Sequence, residues 1–497
     1  MAEKCPKCGS EKTRRTGTDI RASGRILKIF CNDCGKKSNV PLYDVDSGPV
    51  GDISPASRYV ITTAQNATNP HTGFLDALKV YCDANGAQLI VIPSRYRNPT
   101  SDKETPDDWW AASLTPYLCG ERRELCPGVM LMGDIKTQPT AVNPLSGLHT
   151  ITGGKCGIFG HTRVALEAVP TPGQMLPKLL TTTGAVTRPN YSDSKAGKKG
   201  EFHHVLGAVV LECGDPFHIR HINAQSDGSF IDLDKVYSKS GIREAKRPAA
   251  FVMGDLHAVR ACPDNLEACK DLMRALKPRR VVLHDVLDFQ SASHHNNFFD
   301  RYRLASAGRS NVLDELRLTC EMVADIAKLA PAFIAPSNHN EHLFKWLENH
   351  NNAQDVENAR IYHELKADML AAIDETGKIP DPLEIAAKRW PMGDVTFIGR
   401  GQSLQVHGVE MAYHGDKGPN GARGNAAGFD RIGVKTIIGH SHTPRIVGGC
   451  MQVGTSSQLD MGYNIDSPSS WLNSHALLYA NGKRTLIHVI GGQWRKK

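Results

Sequence analysis

Five short segments in the C-terminal half carry residue types that bind metal ions. They are Asp255 and His257 in Gly254-Asp-Leu-His, Asp285 in His284-Asp-Val-Leu-Asp, Asn338 and His339 in Ser337-Asn-His-Asn-Glu, His414 in Tyr413-His-Gly-Asp, and His440 and His442 in Gly439-His-Ser-His. Carboxylate oxygen, imidazole nitrogen and one amide oxygen make a donor mixture suited to borderline cations such as Mn, Fe, Zn or Ni. Sites for Ca or Mg are mostly oxygen. Two cations roughly 3.5–4 Å apart need a bridging carboxylate.

Four of the segments follow apolar runs: Ala249-Ala-Phe-Val-Met, Val281-Val-Leu, Ala332-Phe-Ile-Ala and Val434-Lys-Thr-Ile-Ile. Each run is short enough to be a buried strand. Ligands at the ends of neighbouring strands would converge on one edge of a sheet. The spacing of Asp255 with His257, and of His440 with His442, puts both side chains of each pair on one face of an extended strand end.

In type, order and spacing these motifs resemble those of the calcineurin-like metallophosphoesterases: D-x-H, G-D, G-N-H-D/E, a lone H, then G-H-x-H. The resemblance covers about residues 248 to 495. It implies one cation on Asp255, His257, Asp285 and His442, and a second on Asp285, Asn338, His414 and His440, with Asp285 bridging. It also implies that His339 protonates the leaving oxygen. Two positions depart from the pattern: His284 replaces a Gly, and Asn340 replaces the acid that orients the imidazole. An amide raises the pKa of His339 less than a carboxylate would, and Glu341 is the candidate to replace it.

The 497 residues suffice for two to four domains, and 40% hydrophobic with 22% charged residues is ordinary for a globular protein. No apolar stretch of membrane-spanning length occurs, and Met1-Ala-Glu-Lys-Cys lacks a signal-peptide core, so a cytoplasmic location is expected, in the host cytoplasm if the source is viral. The 13 cysteines are an odd, scattered set, which argues for thiols and metal ligands instead of a disulfide framework. Cys5-Pro-Lys-Cys8-Gly and Cys31-Asn-Asp-Cys34-Gly are two knuckles of a four-thiolate site for one structural Zn. They resemble the zinc ribbons of nucleic-acid enzymes. Net charge is +7, and Lys4, Lys7, Lys12, Arg14, Arg15, Arg21, Arg25 and Lys28 crowd this segment beside Phe30, a composition suited to a nucleic-acid strand.

The expected organisation is α/β: a zinc ribbon over 1–47, a linker at Gly48–Pro55, an α/β accessory domain over 55–245, and a catalytic domain over 248–497. For the last, the resemblance implies a four-layer α/β/β/α architecture. Tyr59-Val-Ile-Thr-Thr, the helical run from Gly73 and Gln88-Leu-Ile-Val-Ile form a βαβ opening. The segments from Val205, Pro216 and Ser229 are expected to form an antiparallel meander, and Ser192–Glu201 a loop. Gly133-Asp134 and Gly160-His161 imitate the catalytic motifs but are read as turns. Following the bridging motif, His294, His295, Arg301 and Arg303 are candidates for holding phosphate. The periodicity over Val312–Leu329 predicts a helix burying Leu313, Leu316, Met322, Val323 and Ile326.

The motif set implies phosphate-ester hydrolysis with two divalent ions, Mn expected and Fe, Zn, Ni or Mg as alternatives. The ribbon and the large accessory region extend this to a DNA nuclease, similar to the exonuclease branch of the superfamily and to bacteriophage early proteins that degrade host DNA. DNA and further copies of the chain are the expected partners; a membrane is not. Two other readings remain open: a phosphatase or small-nucleotide phosphodiesterase, and a DNA- or protein-binding regulator with a weakly active metal centre.

Overall fold

The computed structural model describes residues 4–21, 24–42, 53, 55–96, 107–172, 176–462, 464 and 466–496. The architecture is mixed α/β, with a small Cys-rich sheet at the N-terminus. Most of the expected linker at Gly48–Pro55 lies outside the described residues, as do the side chains of Arg15, Arg21 and Arg25. Among the described residues no disulfide joins the cysteines, and no helix is long and apolar enough to cross a membrane.

The apolar runs before the first three motifs are adjacent parallel strands. A six-stranded sheet runs Val395–Phe397, Ala332–Ile334, Val281–Leu283, Ala250–Val252, Ser474–Leu478 and Arg484–His488. Its central strands are buried on both faces, which is why they read as unbroken apolar runs. Phe251, Val281, Leu283 and Leu477 pack against helices Pro263–Leu276, Val312–Ala327 and Ala359–Thr376. Ala250, Val252, Val282 and Leu478 point the other way, into a core shared with Ile437, Met451, Leu131 and Ile158 of a second sheet.

That second sheet has ten strands, and it corrects the expectation that the four apolar runs share one sheet edge. The run before Gly439-His-Ser-His is the strand Lys435–Ile438, which belongs to this sheet and not to the edge formed by the other three. The ligand motifs therefore meet between two sheets. Strand Arg445–Val447 pairs antiparallel with Leu166–Val169, so strands from the expected accessory region and from the expected catalytic region share one ladder. The division near residue 246 is not a break in the sheet. Apolar faces on both segments were legible, but which face met which was not.

The βαβ opening folds as expected, with Arg58–Gln65 parallel to Gln88–Ser94 and helix Thr72–Asn85 between them. Of the meander, Gly207–Glu212 and His218–Asn223 pair, whereas Phe230–Asp232 pairs with Lys235–Ser238 in a separate hairpin sheet. The loop expected at Ser192–Glu201 contains a helix, Lys195–His203, started by Ser194 accepting from the Gly197 N–H. In helix Val312–Ala327 the buried stripe includes Val312, Leu316, Cys320, Val323 and Ile326, while Leu313 faces outward at 41% exposure. Leu316, Val323 and Ile326 are buried as expected and Met322 packs partly buried on the same core, so Leu313 alone departs from the expected stripe.

A buried ion cluster ties the hairpin to the βαβ sheet. The Arg220 guanidinium donates to both Asp232 oxygens at 2.6 and 2.7 Å and lies 2.9 Å from Glu212, while the Tyr81 hydroxyl donates to Asp232 at 2.9 Å. Burial opposes ionisation of Asp232, but Arg220 outweighs it and holds that carboxyl below its ordinary range; Glu212 is lowered likewise. Their stabilisation is complete above about pH 4 and is lost as pH falls through the depressed values. Arg220→Met would strip Asp232 of its cation, while Glu212 keeps Arg58 at 2.9 Å, and urea unfolding at neutral pH should show a loss of about 3–5 kcal/mol. The loss should shrink in acid, where both carboxylates are protonated.

Candidate metal centre

Each candidate ligand emerges where a strand gives way to a turn. His257, Asp285, His440 and His442 have φ of 44°, 43°, 77° and 58°, a left-handed backbone that non-glycine residues adopt at a cost of order 1–3 kcal/mol each. Such a conformation reverses the chain immediately after the strand and turns the side chain back over the strand ends. Gly254 and Gly439 make room: a Cβ at Gly439 would collide with Asp255 Oδ1, and one at Gly254 would meet the Gly454 backbone at 2.8 Å.

Asp255, His257, Asp285 and His442 form one group whose donor atoms all lie within 4.8 Å of one another, all four buried. His257 Nε2 and His442 Nε2 face each other at 3.0 Å, and His442 Nε2 is 3.2 Å from Asp255 Oδ2. His257 Nδ1 lies 3.0 Å from Asp288 Oδ1, so a proton on Nδ1 leaves Nε2 as a lone pair aimed inward. On the other side, His414 Nε2 is 3.0 Å from Asp285 Oδ2, and His440 Nδ1 is 3.1 Å from Asn338 Oδ1. The His414 and His440 rings are 5.2 Å apart.

Asp255 Oδ1, both nitrogens of His414 and His442 Nδ1 are buried without a hydrogen-bond partner. His414 Nε2 is close to Asp285, yet its geometry is not that of a hydrogen bond. Burial resists ionisation of Asp285, but His414, His339 and His257 outweigh it and hold the carboxylate well below its usual range. Orphaned donors of these types around two buried carboxylates fit divalent cations. Asp285 is central: its Oδ2 is 3.8 Å from His257 Nε2 and its Oδ1 accepts from the His339 N–H at 3.4 Å.

The carboxylate that serves His339 is one the sequence reading passed over. His339 Nδ1 lies 3.3 Å from the Asp288 carbonyl oxygen and 3.4 Å from Asp288 Oδ1. Burial pushes the imidazolium down, but Asp285 and Asp288 more than compensate and raise its pKa to about 9. Neither expected substitute does this work. Asn340 accepts from the Leu287 N–H at 3.2 Å, and Glu341 pairs with Arg400 and Lys417. Asp288 was visible as the last residue of His284-Asp-Val-Leu-Asp, three residues after Asp285, but nothing in the spacing showed that it would turn back. His284 packs its ring 5.5 Å from His414, and burial with that neighbour lowers its pKa to about 4.

Beside His339 opens a cleft of about 750 Å³ lined by Arg260, Asp288, Asn338, His295, Arg303 and His342, among others. Of the candidates for holding phosphate, His295 and Arg303 reach this cleft, and Arg303 lies 3.7 Å from Asp300. Arg301 and His294 are exposed and are not among the lining residues. Arg260, 3.4 Å from Asp288, is a cleft cation the sequence reading missed. Phe298, Phe299 and Tyr302, also not singled out in the sequence, do not line the cleft but are 70%, 78% and 69% exposed on helix Phe298–Ser306, which carries Arg303. The imitation motifs are structural: Asp134 pairs with Arg122 at 2.9 Å, and buried His161 accepts from the Arg163 N–H.

In the N-terminal sheet of Thr13–Arg21, Gly24–Cys31 and Lys37–Leu42, the sulfurs of Cys5 and Cys34 are 3.7 Å apart and those of Cys8 and Cys31 3.6 Å. Thiolates about 2.3 Å from a tetrahedral Zn would stand about 3.8 Å apart, so the four thiols fit one ion. Gly9 and Gly35 close the two turns with N–H groups on Cys5 and Cys31 carbonyls. The backbone N–H of Lys7 draws the Cys5 thiol down to about 6, and that of Cys34 lowers Cys31. The Arg14 guanidinium covers the Phe30 ring at 5.0 Å, while Lys4 and Lys12 pair with Glu11 and Asp33.

Gly439→Ala should displace Asp255 and, with it, the His440 N–H that donates to its Oδ2 at 2.8 Å. Elemental analysis after loading with Mn should show bound metal falling by at least half, while the thiolate Zn is kept. Unchanged Mn content would show that Asp255 is not a ligand.

No family model matches the sequence. The chain is 32% identical over 466 residues to Protein A1 of Escherichia phage T5, an alignment spanning 89% of this chain and 84% of that protein. The similarity supports a bacteriophage origin, and identity of this extent across nearly the whole length shows that the chain belongs to the family of the phage T5 Protein A1.

Proposed function

We propose that the chain is a two-metal phosphodiesterase that hydrolyses DNA. The observation that carries this reading is the convergence of Asp255, His257, Asp285 and His442 as a buried donor group beside an open cleft, with His339 held at its edge by Asp288. The motif order resembling the calcineurin-like metallophosphoesterases supports the same chemistry. One ion would be held by Asp255, His257, Asp285 and His442, and the other by Asp285, Asn338, His414 and His440. Bound there, two divalent ions supply Lewis acidity toward a phosphate oxygen and lower the pKa of an attacking water.

The side chains supply the rest. His339 presents Nδ1 to Asp288, which leaves Nε2 as the nitrogen able to protonate the departing oxygen. Asp288 also fixes the tautomer of His257, so one carboxylate positions both an acid and a ligand. Arg260 and Arg303 are placed to hold non-bridging phosphate oxygens across the cleft. Exposed Phe298, Phe299 and Tyr302 beside Arg303 offer stacking surfaces and charge suited to unpaired bases, which favours nucleic acid over a small ester. The ribbon, with no open coordination position, contributes through folding or contact.

Purified protein with Mn, Mg, Zn or EDTA, tested on end-labelled single- and double-stranded DNA beside a p-nitrophenyl phosphodiester, should cleave DNA in a metal-dependent way. Asp285→Asn should lose metal and cleavage together. Cleavage of the small ester alone would reject DNA as the substrate.

His339→Ala should keep metal content but slow DNA cleavage by about 100-fold or more, with a smaller loss on the p-nitrophenyl ester, whose leaving group needs little protonation. Asp288→Asn should reproduce this leaving-group dependence in weaker form. Equal losses on both substrates would assign His339 to positioning.

A further inference from the structure

A second group of imidazoles stands next to the centre without belonging to it. His294 and His295 lie on the exposed turn that precedes helix Phe298–Ser306, and His342 lies in helix Asn340–Glu348, one turn past His339. One nitrogen from each of the three rings lies within 4.8 Å of the others. The ring centroids are 3.9 Å apart for His294 and His295, 4.9 Å for His294 and His342, and 5.7 Å for His295 and His342. His342 is only 7% exposed, and its Nδ1 has no hydrogen-bond partner. Leaving such a nitrogen desolvated and unpaired is unfavourable, and a coordinated ion would offset that cost.

The same arrangement weakens the expectation that these residues hold phosphate. To attract an anion the rings must be protonated. Burial, with His339, His294 and Lys345 nearby, takes His342 down to about 3, and burial with His295 and Lys345 also lowers His294. Neutral imidazoles are lone-pair donors. Three of them without a carboxylate discriminate in favour of Zn, Ni or Cu and against Mn and Mg, the opposite bias to a carboxylate-rich site. Lys345 adds repulsion, so binding here should be weaker than at a centre containing two aspartates.

We propose that His294, His295 and His342 form a third metal site, for Zn²⁺ or a similar imidazole-seeking ion, on the wall of the cleft. Three nitrogen ligands leave at least one coordination position open. His295 and His342 line the cleft together with His339 and Arg303. The open position is therefore available to an oxygen ligand in the cleft, such as a phosphate oxygen remote from the reacting one. The site rests on its own three rings and does not depend on the function proposed above.

The test is metal stoichiometry on the full-length protein. After equilibration with Zn²⁺ and removal of free ion, the His294→Ala/His295→Ala double variant, altered only at exposed positions, should hold one equivalent less than wild type. His342→Gln should lose the same equivalent, and Mn²⁺ binding should be unchanged in both. With Co²⁺ as probe, the X-ray absorption difference between wild type and double variant should show a nitrogen-dominated shell. Gly439→Ala, which damages the aspartate centre, should retain the equivalent held by the three histidines, so failure of that centre and failure of this site are separable. Equal Zn²⁺ content in wild type and both variants, or a lost equivalent whose ligands include carboxylate, would overturn the proposal.

Discussion

Asp255 and Asp285 are carboxylates placed between two β-sheets, at 0% and 1% exposure, with apolar core on either side. Ionised groups in such surroundings are tolerable only beside compensating positive charge, and among the described residues no Lys or Arg pairs with either one. The surrounding structure is arranged around that demand. Imidazoles approach from both sheets, left-handed turns aim them inward, and glycines at 254 and 439 let the backbones close to contact. Taken alone, the packing is poor: lone pairs face lone pairs and nitrogens go unpaired. The proposed cations would make it coherent.

Asp288 shows how a departure from an expected pattern is made good. With an amide in place of the acid after His339, orientation of the imidazole passes to a residue on the loop that follows the bridging aspartate. The same carboxylate touches His257 and Arg260. Ligand geometry, acid orientation and a cleft cation are thereby coupled through one side chain, so none of the three can be adjusted alone.

The sequence was most legible where local chemistry carries the signal. The Cys5/Cys8 and Cys31/Cys34 knuckles, the parallel strands before three ligand motifs and the βαβ opening depend on turn residues and apolar runs close in the chain. The grouping of Asp255, His257, Asp285 and His442 was legible through motif order. Asp288 was not, because its role depends on a reversal of the chain with Asp285 and Phe289 in left-handed conformations. The assignment of Lys435–Ile438 to a different sheet was also hidden, since a short apolar strand looks the same in either sheet. Leu313 was misplaced because it borders the buried stripe of Leu316, Val323 and Ile326, where Val312 takes the inward position instead.

The ladder between Leu166–Val169 and Arg445–Val447 bears on when the protein becomes competent during synthesis. Its side chains Glu167 and Arg445 are 278 residues apart in the chain, and His440 and His442 lie just before that late strand. Contacts of such separation form late, because the intervening loop must close first. A ribosome that has released only the first four hundred residues has delivered Asp255, His257, Asp285 and His339 but none of the strands that bring His414, His440 and His442 to them. A nascent or truncated chain that stops before these strands therefore lacks a closed centre, and whatever chemistry that centre performs waits for Lys435–Ile438 and Arg445–Val447 to be made.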